Sequence, residues 1–229
     1  TRISGEIAAV HGNAGLPDGT ITLNVKGTTG QSLGAFMSKG ININVDGAGN
    51  DYIGKGMSGG QIVISSMNAG HEFALGGNTC LYGATGGTLY IHGKVGERFG
   101  VRNSGATTVV EGTGDHPCEY MTGGVAVILG ETGVNFGAGM TGGKAFVYDM
   151  EGKFYEKVNP ELVEPLRIDT DEWDSEMFEL KALLKDYHAK TGSKRAAYIL
   201  ENFRSEIRKF WMVAPRGIKP TIVTGAKGE

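Results

Sequence analysis

The sequence has two cysteines in 229 residues, Cys80 and Cys118, at a spacing that suits neither a disulfide framework nor a metal site. It has no excess of basic residues, and a formal charge of −3 leaves no electrostatic footprint for a nucleic-acid partner. No apolar run approaches the roughly eighteen residues of a membrane-spanning helix. With no signal peptide or transit-like start either, the sequence reads as a soluble cytoplasmic protein in a reducing compartment. His11, His71, His92 and His188 are scattered without ligand spacing, so no metal site is expected and these imidazoles are read as surface or partner-facing groups. Between Gly19 and Val147 no segment has the helical spacing needed to cross back over a sheet, which excludes ordinary β-α-β units.

Glycine, by contrast, is abundant and unevenly placed. Of 39 glycines, only Gly152, Gly192, Gly217, Gly225 and Gly228 lie beyond position 151. The others mark a repeat in which a Gly/Ser/Thr turn precedes alternating apolar residues. The turns are Gly59-Gly60, Gly86-Gly87, Gly105, Gly123-Gly124 and Gly142-Gly143, with fainter copies at Gly19 and Gly40. Subtracting the numbers of the last glycines gives steps of 18 to 21 residues, except for 27 between Gly60 and Gly87. The polar stretch from Ser65 to Glu72 supplies the extra length and is expected to be a loop extruded from one turn.

After each turn the apolar residues alternate, as in Ile62/Ile64, Leu89/Ile91, Ala126/Ile128 and Ala145/Val147, which is the period of a strand with one buried face. Without crossover helices these strands must stack as coils. The expected fold is an all-β solenoid, a right-handed parallel β-helix of about seven coils with two or three short strands in each, spanning residues 1–151. Aligning the last glycines places Ser58, Thr85, Asn103, Thr122 and Thr141 in one polar ladder, and Leu81, Phe99 and Cys118 in one buried column. Residues 152–229 form the second unit. There Trp173, Met177, Leu180, Leu183, Leu184 and Tyr187 line one amphipathic α-helix, and Ala196, Ile199, Leu200, Phe203, Ile207 and Phe210 a second, with Gly192-Ser193 between them. This pair should pack along the side or across the open end of the prism. The aperiodic stretch from Met212 onward reads as an extended arm on the β-helix or a partner.

Three motifs invite sharper readings. Gly54-Lys55-Gly56-Met57-Ser58-Gly59 and Gly137-Ala138-Gly139-Met140-Thr141-Gly142 match the dinucleotide pattern, but a strand, not a helix, follows each, so no N-terminal dipole holds a pyrophosphate. Asp115-His116-Pro117-Cys118-Glu119 brings an acid, an imidazole and a thiol together; a self-contained enzyme using His116 and Cys118 stands against a structural corner with Cys118 as a small buried filler. The charged run from Glu97 to Asn103 is either a solvated face or a docking surface that uses Arg98 and Arg102.

Taken together, the segments Gly27–Phe36, Gly47–Gly56, Leu81–Gly87, Gly96–Ala106, Val110–Gly124 and Val158–Val163 closely resemble the C-terminal β-helix domain of the glutamate synthase large subunit, across nearly the whole sequence. The resemblance implies a scaffold. In that family a cysteine amidotransferase domain hydrolyses glutamine and a barrel domain carrying FMN and an iron–sulfur cluster forms glutamate, while the β-helix buttresses both. No catalytic, cofactor-binding or metal residues are therefore assigned here, and FMN and the cluster are expected in a partner domain or subunit. Arg98, Arg102, His116, Glu119 and Arg216 are the expected partner contacts, in a hetero-oligomer with the amidotransferase and flavin components. The protein is either an excised domain or a natural subunit of a split enzyme, and Thr1, small enough for a preceding methionine to be removed, favours the latter. Alternatives are the β-helix subunit of N-methylglutamate synthase in methylamine metabolism and, more distantly, that of a formylmethanofuran dehydrogenase-like complex.

Overall fold

The computed structural model describes residues 1–67 and 69–220. Seven parallel strands, β1 (Ile21–Thr28), β2 (Ile41–Ala48), β3 (Ser58–Ser65), β4 (Gly86–Lys94), β5 (Ser104–Gly112), β6 (Thr122–Ile128) and β7 (Gly142–Tyr148), stack in sequence order, one per coil. Their register builds two rows of side chains that point into the solenoid. One runs Leu23, Ile43, Ile62, Leu89, Thr108, Ala126 and Ala145; the other runs Val25, Val45, Ile64, Ile91, Val110, Ile128 and Val147. The alternating pairs of the sequence pattern are thus the inner face. The β-solenoid is borne out, but each coil carries one long strand rather than two or three short ones.

The outward residues Val63, Tyr90, Val109, Val127 and Phe146 are buried as well, in a second cluster with the C-terminal helices. Helix α2 (Asp174–Thr191) lays Leu180, Leu184 and Tyr187 on this outer sheet face, and α3 (Lys194–Glu201) adds Ala196 and Ile199. The helices therefore pack along the side of the prism. Gly192, left-handed at φ +72, ends α2 by donating its N–H to the His188 carbonyl, and the Ser193 hydroxyl caps α3 by accepting from Ala196 N. What reads as one second helix is broken: α3 stops at Glu201, a four-residue α4 (Phe203–Glu206) follows, and a 3-10 turn over Ile207–Lys209 leads into a strand.

The tail is a regular strand of the sheet. Residues Phe210–Pro215 form a strand that pairs antiparallel with β7 on one side and with Val163–Arg167 on the other. Numbered in chain order, Val163–Arg167 is β8 and Phe210–Pro215 is β9, and the nine-stranded sheet runs β1 to β7, then β9, then β8. Phe210, Met212, Val213 and Ala214 are wholly buried, so the sheet continues past residue 151, and Met212 to Pro215 of the expected arm are packed on the β-helix as one of its strands. Residues 221–229 of the expected arm lie outside the described residues. At the opposite end β1 pairs, among the described residues, only with β2, and most of its residues are exposed. A short helix, α1 (Arg2–His11), which the glycine pattern does not announce, lies at that end with Ser4 and Ile7 buried.

Candidate functional site

The corner of each coil is built by an alternation that the glycine count only partly reveals. Between one strand and the next, every second residue over five positions has positive φ: Arg98, Gly100 and Arg102 in one coil, His116, Cys118 and Tyr120 in the next. The same triplet recurs as Ser32/Gly34/Phe36, Tyr52/Gly54/Gly56, Thr79/Leu81/Gly83 and Asn135/Gly137/Gly139. Every non-glycine residue of positive φ among the described residues falls in these triplets. In the four interior triplets the outer two N–H groups donate to the coil that follows and the middle one to the coil before, as in Arg98 N to Asp115 O, Arg102 N to Glu119 O and Gly100 N to Cys80 O. These cross-coil bonds offset a left-handed penalty of roughly 1–2 kcal/mol for each non-glycine residue. Gly54-Lys55-Gly56 and Gly137-Ala138-Gly139 are two of these corners, so their resemblance to a phosphate loop has a structural origin.

The Gly-Gly turns at the start of the strands serve two ends. Gly60, Gly87, Gly124 and Gly143 have φ between +75 and +89. Gly59, Gly86, Gly105, Gly123 and Gly142 instead lie so close to the coil below that a Cβ would meet its backbone, 2.3 Å from Ser104 O in the case of Gly123. Strand register places Ala106, not Gly105, beside Gly87 and Gly124, because Thr107 pairs with Thr88 and Val125. The polar ladder therefore takes Ser104. Asn103 sits one place earlier, wholly buried in the column of Met57, Ala84, Met121 and Met140, where its amide group bonds Gly105 N, Ala106 N and Ala106 O. Phe99 likewise falls beside Cys80 and Pro117 rather than beside Leu81 and Cys118, although Leu81, Phe99 and Cys118 are all fully buried as expected.

Arg98 and Arg102 project from one corner, exposed, and their guanidinium groups have no hydrogen-bond or ion-pair partner among the described residues. One coil on, His116 Nδ1 lies 2.9 Å from Glu119 Oε1, and Asn135 Nδ2 lies 3.2 Å from both atoms. The consistent assignment has His116 Nδ1–H and the Asn135 amide both donating to Glu119, and Asn159 Nδ2 continues the ladder to Asn135 Oδ1 at 2.8 Å. Arg216 lies apart from this corner, with Nε and Nη2 donating to Pro160 O at 3.1 and 2.5 Å. Four of the five expected contacts thus share the corner of adjacent coils.

The thiol of Cys118 is unsuited to nucleophilic work as it stands. It is fully buried, and burial pushes its pKa up to about 12; Cys80 is pushed up to about 12 by the same cause. An iron–sulfur cluster needs several accessible thiolates, and two separately buried cysteines do not fit one. Among the described residues no group of three His, Cys, Asp or Glu is placed to hold a metal ion. None of their helices is long and apolar enough to cross a membrane.

A second place emerges on the outer sheet face. The register puts Asp46 beside Ser65, and continuing the paired rows brings His92 and Glu111 into line with them. Ser65 Oγ is 3.1 Å from His92 Nδ1, and it also approaches the Thr191 carbonyl at the end of α2 at 3.3 Å. Burial lowers the pKa of His92, an imidazole read from sequence as a surface or partner group but only 8 % exposed. Glu111 is 1 % exposed; Tyr187 Oη and Ser193 Oγ lie 2.9 and 2.7 Å from its Oε1. Asp46, Ser65, His92, Glu111 and Ser193 floor a cleft of about 1050 Å³ between the sheet, the α2–α3 junction and the irregular connection after β3, of which Asn68 lies outside the described residues.

Fold and corner define the class: a parallel β-solenoid whose glycine-alternating corners hold the coils together. The family model described as the GXGXG motif matches residues 1–216, and the chain belongs to that family. It is 51% identical over 219 residues to the ferredoxin-dependent glutamate synthase of Pyropia yezoensis, a match covering 94% of this sequence and 14% of that protein. It is 46% identical to the NADH glutamate synthase of Schizosaccharomyces pombe, covering 96% of this sequence and 10% of the relative. Against the large chain of the NADPH glutamate synthase of Bacillus subtilis the identity is 44%, with 96% and 14% covered. The match is to the C-terminal region of the large glutamate synthase polypeptide, and the protein spans about a seventh or less of the relatives it matches.

Proposed function

We propose that this protein is the scaffold component of a glutamate synthase-type oxidoreductase, holding an amidotransferase component against a component that carries FMN and an iron–sulfur cluster. The observation that carries the reading is the similarity of almost the entire sequence to a small part of much longer glutamate synthases, which leaves the greater part of each relative to act beside it. The solenoid suits such a role because its coils form one rigid body: each is bonded to the next along both strand and corner. Arg98 and Arg102 suit a docking corner, since they are exposed and unpaired among the described residues, and arginine gives bidentate hydrogen bonds to carboxylates.

The test is to isolate the native assembly and identify its components, then to purify this protein by itself. Amidotransferase-type and flavin-bearing components are expected to co-purify, and the isolated protein is expected to show neither flavin absorbance nor glutaminase activity. Either signal in the isolated protein overturns the reading. The N-methylglutamate synthase alternative is distinguished in the same preparation by asking whether the assembly accepts methylamine.

A further inference from the structure

We infer that the cleft between the outer face of β3–β5 and the α2–α3 junction is a binding site for a small neutral molecule that joins an O–H or N–H donor to an apolar body, the donor being given to Glu111 Oε2. Glu111 lines the cleft, and its two oxygens are unequally used. Oε1 is met by Tyr187 and Ser193, while Oε2 is buried with no hydrogen-bond partner. A buried carboxylate oxygen without a donor is costly, so a ligand that supplies one gains an interaction the protein has left open.

The surroundings decide the kind of donor. Arg195 Nε stands 4.0 Å from Oε2, too far for a hydrogen bond, while Arg195 Nη1 is tied to the Leu129 carbonyl at 2.8 Å. A cation entering beside that guanidinium meets like charge, and an anion meets Glu111 itself. A neutral hydroxyl or amide meets neither obstacle: it can donate to Oε2 and accept from Arg195. In this conformation Oε2 is covered, with the Arg195 side chain only 13 % exposed and tied to the sheet by that carbonyl bond, so the inferred ligand reaches Oε2 by displacing this guanidinium. Three acidic residues, Asp46, Glu72 and Glu111, and three basic ones, Lys190, Lys194 and Arg195, line the cleft, a balance that suits a neutral molecule, and apolar side chains fill the space between them. Val63 lies beside the floor, and Met67, Phe73, Met150 and Tyr198 line the cleft while remaining exposed, which suits an apolar body. A volume of about 1050 Å³ suits one of drug size.

The inference is independent of the scaffold reading and is tested on the full-length protein with a matched pair, 3-phenylpropan-1-ol and its methyl ether, which differ in the single donor. Protein amide NMR shifts are followed in titrations of each. The alcohol is expected to move the amides of Gly70, Thr191 and Gly192, and the ether to bind about fivefold more weakly, the ratio one hydrogen bond supports. In Glu111→Gln the donors of Tyr187 and Ser193 keep the amide oxygen at the Oε1 position, which turns the free position into an N–H. The preference for the alcohol should then disappear, because the hydroxyl and ether oxygens can both accept from that N–H. Equal affinities for the pair, no binding by either, or shifts confined to other surfaces overturn the inference. So does a folded Glu111→Gln variant that still prefers the alcohol. Should that variant not fold, the wild-type comparison decides alone.

Discussion

The hydroxyl of Ser193 donates to Glu111 Oε1 at 2.7 Å and accepts from the backbone N–H of Ala196 at 3.1 Å. One residue therefore starts α3 and fastens it to the middle of the sheet. Ser193→Ala removes a helix cap worth about 1 kcal/mol and one of the donors to a buried carboxylate, for a combined loss of about 2–3 kcal/mol. Denaturant unfolding should show this as a lower midpoint at unchanged slope.

Gly123 and Gly152 separate two demands that glycine meets. A Cβ on Gly123 would lie 2.3 Å from Ser104 O, whereas Gly152, at φ +72, has nothing within 4 Å. Gly152→Ala should cost about 1 kcal/mol, the left-handed penalty alone. Gly123→Ala forces two coils apart and should cost about 3 kcal/mol, in the range of overpacked cores. Thermal melts of the two variants side by side check the difference.

The buried thiols give a pH dependence of definite sign. Cys80 and Cys118 are held neutral in the folded protein, both pushed up to about 12, while an unfolded thiol ionises near its ordinary value of 9.0. The unfolded state thus releases protons that the folded state keeps, so this stability is complete below pH 9 and declines above it. Between pH 9 and 10 each thiol should contribute a loss approaching about 1.4 kcal/mol per pH unit. Cys118→Ala should flatten the measured slope, and thiol labelling of the folded wild type should proceed no faster than unfolding. Rapid labelling at Cys118 would restore the case for a nucleophile.

Val213 of β9 pairs with Ala145 of β7 and with Pro165 of β8. Val213→Pro should destabilise by about 3 kcal/mol or more, because the ring removes a donor from the middle of a sheet. It should also promote association through the uncovered β7 edge, visible by light scattering.

Replacing both Arg98 and Arg102 by Glu should leave the isolated protein within about 0.5 kcal/mol of the wild type, as expected for exposed residues without partners. If this corner docks the other synthase components, the same variant should weaken the assembly, and the loss should be seen as dissociation on gel filtration.

The solenoid was legible because a strand with one face inward must alternate, and the alternation after each glycine turn survives even where the turn is degenerate. The corners were legible only where glycine fills them. Leu81, Arg98 and Cys118 adopt the same left-handed conformation, held by cross-coil hydrogen bonds that leave no trace in composition. Ala106 had a larger effect. Standing where four other coils carry glycine, it draws the alignment onto Gly105 and moves that coil by one residue. With the shift removed, Ser65, His92 and Glu111 each lie five places after Gly60, Gly87 and Ala106, and the polar row facing the cleft becomes visible in the letters. The tail strand had no such signal, since Phe210–Pro215 is apolar throughout, as a strand buried on both faces must be.

The two ends of the stack are not equivalent. At β7 the direction of the strands reverses and β9 takes up that row of backbone groups, with the short β8 beyond it as the outer strand, while at the other end the mostly exposed β1 is itself the outer strand among the described residues. The array consequently has a polarity, like a column with a capital and no plinth. Among the described residues, a neighbouring protein that reads this fold by its backbone meets two unequal edges, the eight-residue β1 and the five-residue β8, whose Pro165 has no N–H to offer.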